Sequence, residues 1–150
     1  MISKASIDEF LAQRRIAVVG FSRSGRKFGN AIFRALKAKG CQVFPVNPQA
    51  TTIEGEPCYL RVQELPEAIE GAVLVIRPSE TKKVVQDIAQ TCIRRVWLQP
   101  GSESIPAVTF CRETGISVIY GECLLMFLEP TAFVHRMHRC VKRLLGRLPK

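Results

Sequence analysis

The sequence predicts an α/β fold, in which a doubly wound, mostly parallel sheet of five strands carries helices on both faces. Five short apolar runs alternate with stretches whose apolar residues recur every three or four positions. The runs lack the alternation of apolar and polar residues that marks a half-exposed strand, which is typical of strands buried on both faces. Because parallel strands are joined by long, right-handed and usually helical crossovers, this order indicates a Rossmann-like sheet.

Length and composition favour one domain over residues 1–150. The chain is 47% hydrophobic, which is enough for a single substantial core. No secretory signal is visible at the N-terminus, and no apolar run approaches the ~20 residues of a membrane-spanning helix. The six cysteines contain no C-x-x-C pair or metal-type grouping, so we expect reduced thiols, mostly in the core. These features predict a soluble, cytoplasmic protein.

The first two elements are a short helix and a buried strand. Ser6 and Glu9 form an S-x-x-E capping box, which predicts that a helix begins there and ends before Arg14. Ile16–Val19 is an apolar, mostly β-branched run closed by Gly20, and it predicts the first strand.

The remaining elements continue the alternation. A four-residue apolar period beginning at Phe28 and ending at Gly40 predicts the next helix, and Ser79 is the expected cap of a later one. The further predicted strands are Val43–Val46, Ala72–Ile76, Arg95–Leu98 and Ser117–Tyr120. The further predicted helices cover residues 62–69, the weakest, then 79–92, 103–114 and 130–146.

A glycine-rich loop from Gly20 to Gly29 lies between the first strand and the helix that follows it. Glycines let backbone N–H groups approach phosphate oxygens, and a helix N-terminus adds favourable partial charge. The loop also carries serine hydroxyls and three cationic side chains. Its predicted phosphate-binding residues are Gly20, Phe21, Ser22, Arg23, Arg26, Lys27 and Gly29. The alternative is a loop that only turns the chain.

Two familiar nucleotide fingerprints are absent. Ser22 stands where G-x-G-x-x-G requires its second glycine, and Asn47 rather than an acid follows the second strand, which disfavours ordinary NAD binding. A P-loop requires G-x-x-x-x-G-K-[ST], whereas Gly25 is followed by Arg-Lys-Phe, with no hydroxyl for magnesium. ATP or GTP hydrolysis is therefore disfavoured.

Three further loops place proline just beyond a strand, in Asn47-Pro48, Arg77-Pro78 and Gln99-Pro100-Gly101. With the glycine loop they give AVVGFS, PVNPQ, IEGEPCY, VIRPSE and WLQPGSES, in that order, between Ile16 and Cys123. This ordered set resembles the small stand-alone CoA-binding proteins, which are similar to the N-terminal CoA-binding domain of the succinyl-CoA synthetase α subunit. The resemblance implies a Rossmann-like CoA-binding fold with coenzyme A or an acyl-CoA as ligand.

The resemblance also implies roles for individual residues. The segment that holds the CoA phosphates contains Gly20, Ser22, Arg26, Lys27 and Gly29. The adenosine end is bordered by Asn47 and Pro48, and the rest of the cleft is lined by Arg77, Pro78, Gln99, Pro100 and Gly101. The family often has a basic residue where Gln49 stands, suited to the ribose 3′-phosphate. The sequence departs from the family there, and Arg23 or Arg26 are the candidates to replace that contact.

No catalytic residue and no metal site is predicted. The two histidines, His135 and His138, lie three residues apart in the last predicted helix, without a neighbouring acidic cluster. A succinyl-CoA synthetase phosphorylates a histidine in a second domain, for which this chain has no room, so the resemblance implies a binding module rather than a ligase. Cys123 follows the fifth strand at the crevice side, where it is either a buried structural thiol or a redox thiol that forms a mixed disulfide with CoA.

The formal net charge of +9 indicates an anionic partner such as a nucleotide. Six basic and no acidic residues follow Glu129, in the predicted amphipathic helix over 130–146 and just beyond it. That helix packs on the sheet or on a second copy of the chain, or it binds nucleic acid or a membrane surface. The lack of interleaved aromatic residues weakens the nucleic-acid interpretation. An unknown protein is a further possible partner of the chain. Two alternatives to a CoA-binding module without chemistry of its own therefore stay open. One is an NAD(P)-linked or CoA-transferring enzyme, and the other is a nucleic-acid- or membrane-associated regulator.

Overall fold

Seven strands and four α-helices make up the part of the chain that the computed structural model describes, which is residues 2–20, 28–66 and 68–128. The strands are β1 (Arg15–Val19), β2 (Gln42–Val46), β3 (Thr52–Ile53), β4 (Glu56–Pro57), β5 (Gly71–Leu74), β6 (Arg95–Leu98) and β7 (Ser117–Ile119). The helices are α1 (Lys4–Leu11), α2 (Phe28–Lys39), α3 (Pro78–Ile88) and α4 (Ile105–Glu113). Short 3-10 helices occupy Val62–Glu64 and Leu124–Met126.

The five predicted apolar runs form one parallel sheet in the order β2-β1-β5-β6-β7. In its register, Val19 of β1 lies beside Val46 of β2 and Leu74 of β5. The chain therefore builds outwards from β1 in one direction to β2 and in the other direction to β5 and beyond. This topology confirms the predicted doubly wound fold.

Both faces of the sheet are covered, because alternate strand residues enter two separate clusters of buried side chains. In β1, Ile16 and Val18 pack with α1 and α2, whereas Ala17 and Val19 pack with α3 and α4. The first cluster includes Phe10, Ile32, Phe33, Leu36, Val73 and Trp97. The second includes Val85, Ile88, Ala107, Cys111, Leu74 and Leu98. Burial on both faces explains why the strand sequences are continuously apolar.

Two helices begin earlier than the sequence predicts. Ser3 caps α1, since its side chain accepts a hydrogen bond of 3.1 Å from the N–H of Ser6, so the predicted capping box at Ser6 is wrong. α3 begins at Pro78 with Arg77 as its N-cap, rather than at Ser79. Proline suits the first position of a helix because its fixed φ is helical and its missing N–H would be unpaired there.

The segment between β2 and β5 differs most from the prediction. The helix predicted over residues 62–69 is wrong, because the described residues of this range are helical only in the 3-10 turn at Val62–Glu64. Leu65 is extended, with ψ of 149°, as the residue before Pro66 prefers to be. β3 and β4 form an antiparallel hairpin that the sequence reading missed. Its two-residue turn, Glu54-Gly55, has positive φ at both positions, as a type I′ turn requires.

Some predicted features lie outside the described residues, namely most of the glycine-rich loop (21–27) and the basic helix over 130–146. Within the described ranges, no helix is both long enough and apolar enough to cross a bilayer.

Candidate functional site

The candidate site lies at the carboxyl edge of the sheet, where the chain leaves β1 and β5 towards opposite faces. After Val19 the chain leads to α2 on one face, and after Leu74 it leads to α3 on the other. Open α/β sheets bind ligands at such a divergence, because the two connections leave a crevice between them. The site is therefore bordered by the loops that follow β1, β2, β5 and β6.

Gly20 opens the glycine-rich loop at a position that a side chain cannot occupy. Its φ is +108°, and a Cβ there would lie 2.0 Å from the carbonyl oxygen of Val75. The Gly20 N–H donates to the carbonyl of Val46 at 3.3 Å, and the Val75 N–H donates to the carbonyl of Val19 at 2.8 Å. The first residue of the loop is thus fixed between the ends of β2 and β5.

The loop leads directly into the N-terminus of α2. Gly29, in the first turn, is buried, and Phe28 before it is 42% exposed. The first turn of α2 contains no acidic residue, so no carboxylate of its own neutralises the positive end of the helix dipole. This arrangement suits an anion placed beyond the helix. The predicted contacts Phe21, Ser22, Arg23, Arg26 and Lys27 lie outside the described residues.

The loop after β2 is held by its own asparagine. The side-chain oxygen of Asn47 accepts a hydrogen bond of 2.7 Å from the N–H of Gln49, which closes a tight turn around Pro48. The Asn47 N–H donates to the carbonyl of Tyr59 at 2.9 Å. Pro48 and Gln49 are exposed at this edge.

A thiol also borders this loop, since the Sγ of Cys58 lies 3.9 Å from the carbonyl oxygen of Asn47. Partial burial raises the pKa of the Cys58 thiol. The protonated form is therefore favoured, and the thiol is a weak nucleophile.

The loops after β5 and β6 are joined through one buried serine. The Ser102 hydroxyl accepts a hydrogen bond of 3.0 Å from the N–H of Ile76, and the Ser102 carbonyl accepts one from the Thr81 hydroxyl of α3. Arg77 projects into solvent, where its guanidinium lies 3.1 Å from the carboxylate of Glu80. Pro78 next to it is exposed at the first position of α3.

Gln99 is the predicted cleft residue whose side chain is most enclosed, with 1% exposure. Its Oε1 accepts a hydrogen bond of 2.8 Å from the N–H of Leu124, and its Nε2 lies 3.5 Å from the Sγ of Cys123. Cys123 itself is 1% exposed. The Gln99 amide therefore holds the segment after β7 in place. The neighbouring Pro100 and Gly101 are exposed at the edge of the crevice.

The structure brings together Gly20, Asn47, Arg77, Gln99 and their neighbours at one edge, as the order of strands predicts. The sequence reading missed the polar side chains that hold these loops in place, above all Ser102 and Thr81. A signal for Thr81 was present, because it lies four residues before Val85 and seven before Ile88, on the apolar stripe of α3. Among the described residues, no three His, Cys, Asp or Glu side chains are grouped to hold a metal ion.

A family model and a curated protein that match this chain both have descriptions that refer to CoA. Residues 14–129 match the model of a family described as CoA binding domain. The chain is 30% identical over 91 residues to the alpha subunit of acetate–CoA ligase (ADP-forming) II from Pyrococcus furiosus, a match that covers 60% of this chain and 20% of that subunit. The chain therefore corresponds to about a fifth of that relative.

Solved structures of small proteins match over more of their length. A conserved hypothetical protein from Pyrococcus furiosus has 37% identity and a TM-score of 0.71, covering 74% of this chain and 96% of that one. A hypothetical protein from Pyrococcus horikoshii has 27% identity and a TM-score of 0.78, covering 97% and 94% of the two chains.

Proposed function

Because the chain belongs to the family of CoA-binding domains, we propose that it is a cytoplasmic module that binds coenzyme A or an acyl-CoA at the carboxyl edge of its sheet. The observation that carries the proposal is Gly20. Its backbone lies against Val75, leaves no room for a Cβ, and begins the loop that enters the N-terminus of α2. A tight glycine turn that leads from a strand into a helix N-terminus is the arrangement that places the following N–H groups against a pyrophosphate.

The remaining loops determine the orientation of the proposed ligand in the site. Backbone N–H groups of the glycine-rich loop and α2 bind the phosphates, and Arg23, Arg26 and Lys27 supply positive charge. Asn47 and Pro48 border the adenosine. The rest of the cleft is lined by Arg77, Pro78, Gln99, Pro100 and Gly101. The Gln99 side chain is engaged in the core, so Gln99 holds the loop that carries Pro100 and Gly101 in place.

The proposed role is binding without chemistry of its own. The relative from Pyrococcus furiosus is named as a subunit of a ligase, and this chain corresponds to about a fifth of that subunit. In this proposal the domain holds CoA for a reaction that another protein carries out, and that protein is a partner to be sought.

Titration calorimetry separates this proposal from the NAD(P)-linked alternative. We expect CoA and acetyl-CoA to bind, whereas NAD, NADP and ATP bind at least about tenfold more weakly, a difference of ~1.4 kcal/mol. Dephospho-CoA tests the ribose 3′-phosphate contact, because Gln49 stands where a basic residue is usual. Equal binding of CoA and dephospho-CoA would mean that no side chain replaces that contact. Binding of NADP without binding of CoA would overturn the proposal.

A further inference from the structure

Glu54 has an unusual backbone conformation. Within the described residues it is the one non-glycine residue with positive φ, at +53°. It occupies the first position of the β3–β4 turn, where Asn, Asp or Gly is the usual choice. Glutamate has a longer side chain than these residues and is strained at positive φ. The contacts of its side chain should therefore explain why it occupies this position.

The carboxylate of Glu54 contacts two residues of α2. Oε1 accepts hydrogen bonds from Asn30 Nδ2 at 3.1 Å and from Arg34 Nη2 at 2.7 Å. Oε2 accepts a third, from Arg34 Nε at 3.2 Å. The pair with Arg34 is bidentate, which fixes orientation as well as distance. The Glu54 side chain is 21% exposed, and hydrogen bonding from Arg34 and Asn30 lowers the pKa of its carboxyl.

On the helix side, these contacts reach the start of α2. Asn30 is the third residue of the helix and is 1% exposed, so it lies in the turn that directly follows the glycine-rich loop. Fixing the Asn30 side chain therefore fixes the helix N-terminus that the proposed function assigns to the phosphates.

On the hairpin side, the contacts reach the loop after β2. β4 continues into Tyr59, whose N–H donates to the carbonyl of Pro45 and whose carbonyl accepts from the N–H of Asn47, both at 2.9 Å. The hairpin and the Asn47 turn are thus hydrogen-bonded together. Ile53 of the hairpin shares an apolar cluster with Ile32 and Phe33 of α2. Glu54 adds a charged, directional link from the hairpin to the first turns of α2.

We propose that Glu54 is a positioning residue for CoA binding. It keeps the start of α2, which is the phosphate end of the site, at a fixed position relative to the Asn47 turn, which is the adenosine end. The inference rests on the proposed function and assigns a residue outside the crevice to it. Without the carboxylate, the helix start and the Asn47 turn lose their directional link and keep only the apolar packing of the hairpin on α2. A ligand that spans both must then order them itself.

The hairpin provides a matched control. Glu56 also pairs with a cation of α2, Lys37, at 2.5 Å, and both side chains are partly exposed. Lys37 lies close to one helical turn beyond Arg34, away from the glycine-rich loop, and Glu56 has no contact with Asn30 among the hydrogen bonds of the described residues. Replacing either carboxylate weakens one link between the same two elements, but only Glu54→Gln acts on the first turn of α2, through Asn30.

Glu54→Gly separates positioning from stability. Glycine adopts positive φ without strain, so this variant loses the carboxylate and the strain together, and its melting temperature stays close to that of the wild type. A residue with only a structural role would leave CoA affinity unchanged in such a variant. We expect both Glu54→Gln and Glu54→Gly to weaken CoA binding roughly five- to tenfold, a modest coupling between two parts of a site.

The experiment is calorimetric titration of CoA into the wild type and the Glu54→Gln, Glu54→Gly and Glu56→Gln variants, with melting temperatures recorded in parallel. The expected result is weaker binding in both Glu54 variants and a change below about twofold in Glu56→Gln. If the wild type binds CoA and every variant binds it equally, the role of Glu54 is refuted and the proposed function stands. If the wild type does not bind CoA, both proposals fail.

Discussion

The hydroxyl of Ser102 accepts a hydrogen bond of 3.0 Å from the backbone N–H of Ile76, and this contact joins the loops that follow β6 and β5. Ser102 is 2% exposed, and its backbone N–H donates to the carbonyl of Gln99 at 2.8 Å while its carbonyl accepts from Thr81. The hydroxyl and the backbone of one small residue therefore tie together two loops and a helix start that border the proposed CoA crevice.

Replacing Ser102 with alanine removes the acceptor for the Ile76 N–H. An unpaired buried N–H costs ~1–3 kcal/mol, and the Ile76 N–H is partly buried, so we expect the free energy of unfolding to fall by ~1 kcal/mol. We also expect weaker CoA binding, because the loops after β5 and β6 lose their link. Urea unfolding and calorimetry measure the two effects. Ser117→Ala, at an exposed strand position, is the control, and equal stability of the two variants would contradict the prediction.

Gly20→Ala tests the close approach at the start of the glycine-rich loop. A methyl group at this position meets the Val75 carbonyl at 2.0 Å in a backbone conformation that alanine disfavours. We expect a loss of unfolding free energy well above the ~1–2 kcal/mol that positive φ alone costs, together with loss of CoA binding.

Gly115→Ala is the matched control for this change. Gly115 also has positive φ, at +76°, but a Cβ there meets nothing within 4 Å. Only the backbone cost applies, so stability falls by ~1 kcal/mol and CoA binding is unchanged. Similar losses in the two variants would mean that contact with Val75 is relieved by a small backbone shift.

The sheet could be predicted from sequence because its signal is local and strong. Apolar runs such as Ile16–Val19 have few alternatives to a buried strand, and the loops at one edge follow from parallel topology. The Asn47, Arg77 and Gln99 loops accordingly meet where the prediction placed them. The side-chain orientation of Gln99 could not be predicted, since it depends on Leu124, which is distant in sequence.

The β3–β4 hairpin and the hydrogen bonds of the Ser102 and Glu54 side chains could not be predicted from the sequence. β3 and β4 have two residues each, too few for periodicity to reveal, and the turn places Glu where Asn or Asp is usual. The side-chain hydrogen bonds of Ser102 and Glu54 join residues 20 or more positions apart, so they form only after the chain has folded.

The ion pair of Glu54 predicts a pH dependence of stability. Hydrogen bonding from Arg34 lowers the pKa of this carboxyl from its usual 4.5, so the folded state favours the ionised form. The resulting stabilisation is present above the unfolded pKa and is lost as pH falls through the lower folded value. The melting-temperature difference between wild type and Glu54→Gln should be constant above pH 6 and vanish in acid. A difference that grows below pH 4 would contradict this assignment.

Thiol labelling tests the burial of the cysteines. Burial raises the pKa of Cys111 to about 11, so at pH 8 only about one thiol in a thousand is ionised there. Cys92 is exposed. We expect iodoacetamide to modify Cys92 in the native protein and Cys111 only after unfolding in guanidinium, as peptide mass mapping can determine. Equal labelling of both thiols in the native protein would contradict the burial of Cys111 in the core.

Cys123 allows a sharper test, because it lies at the crevice edge of the sheet and yet is 1% exposed. Its Sγ is covered by the Gln99 amide, which also holds the N–H of Leu124. Disulfide exchange needs in-line access to the sulfur, so native protein treated with CoA disulfide should form no adduct at this position. Intact masses of wild type and Cys123→Ser should then show the same adducts. An adduct that Cys123→Ser abolishes would instead support the mixed disulfide, and it would require the Gln99 contact to open when ligand binds.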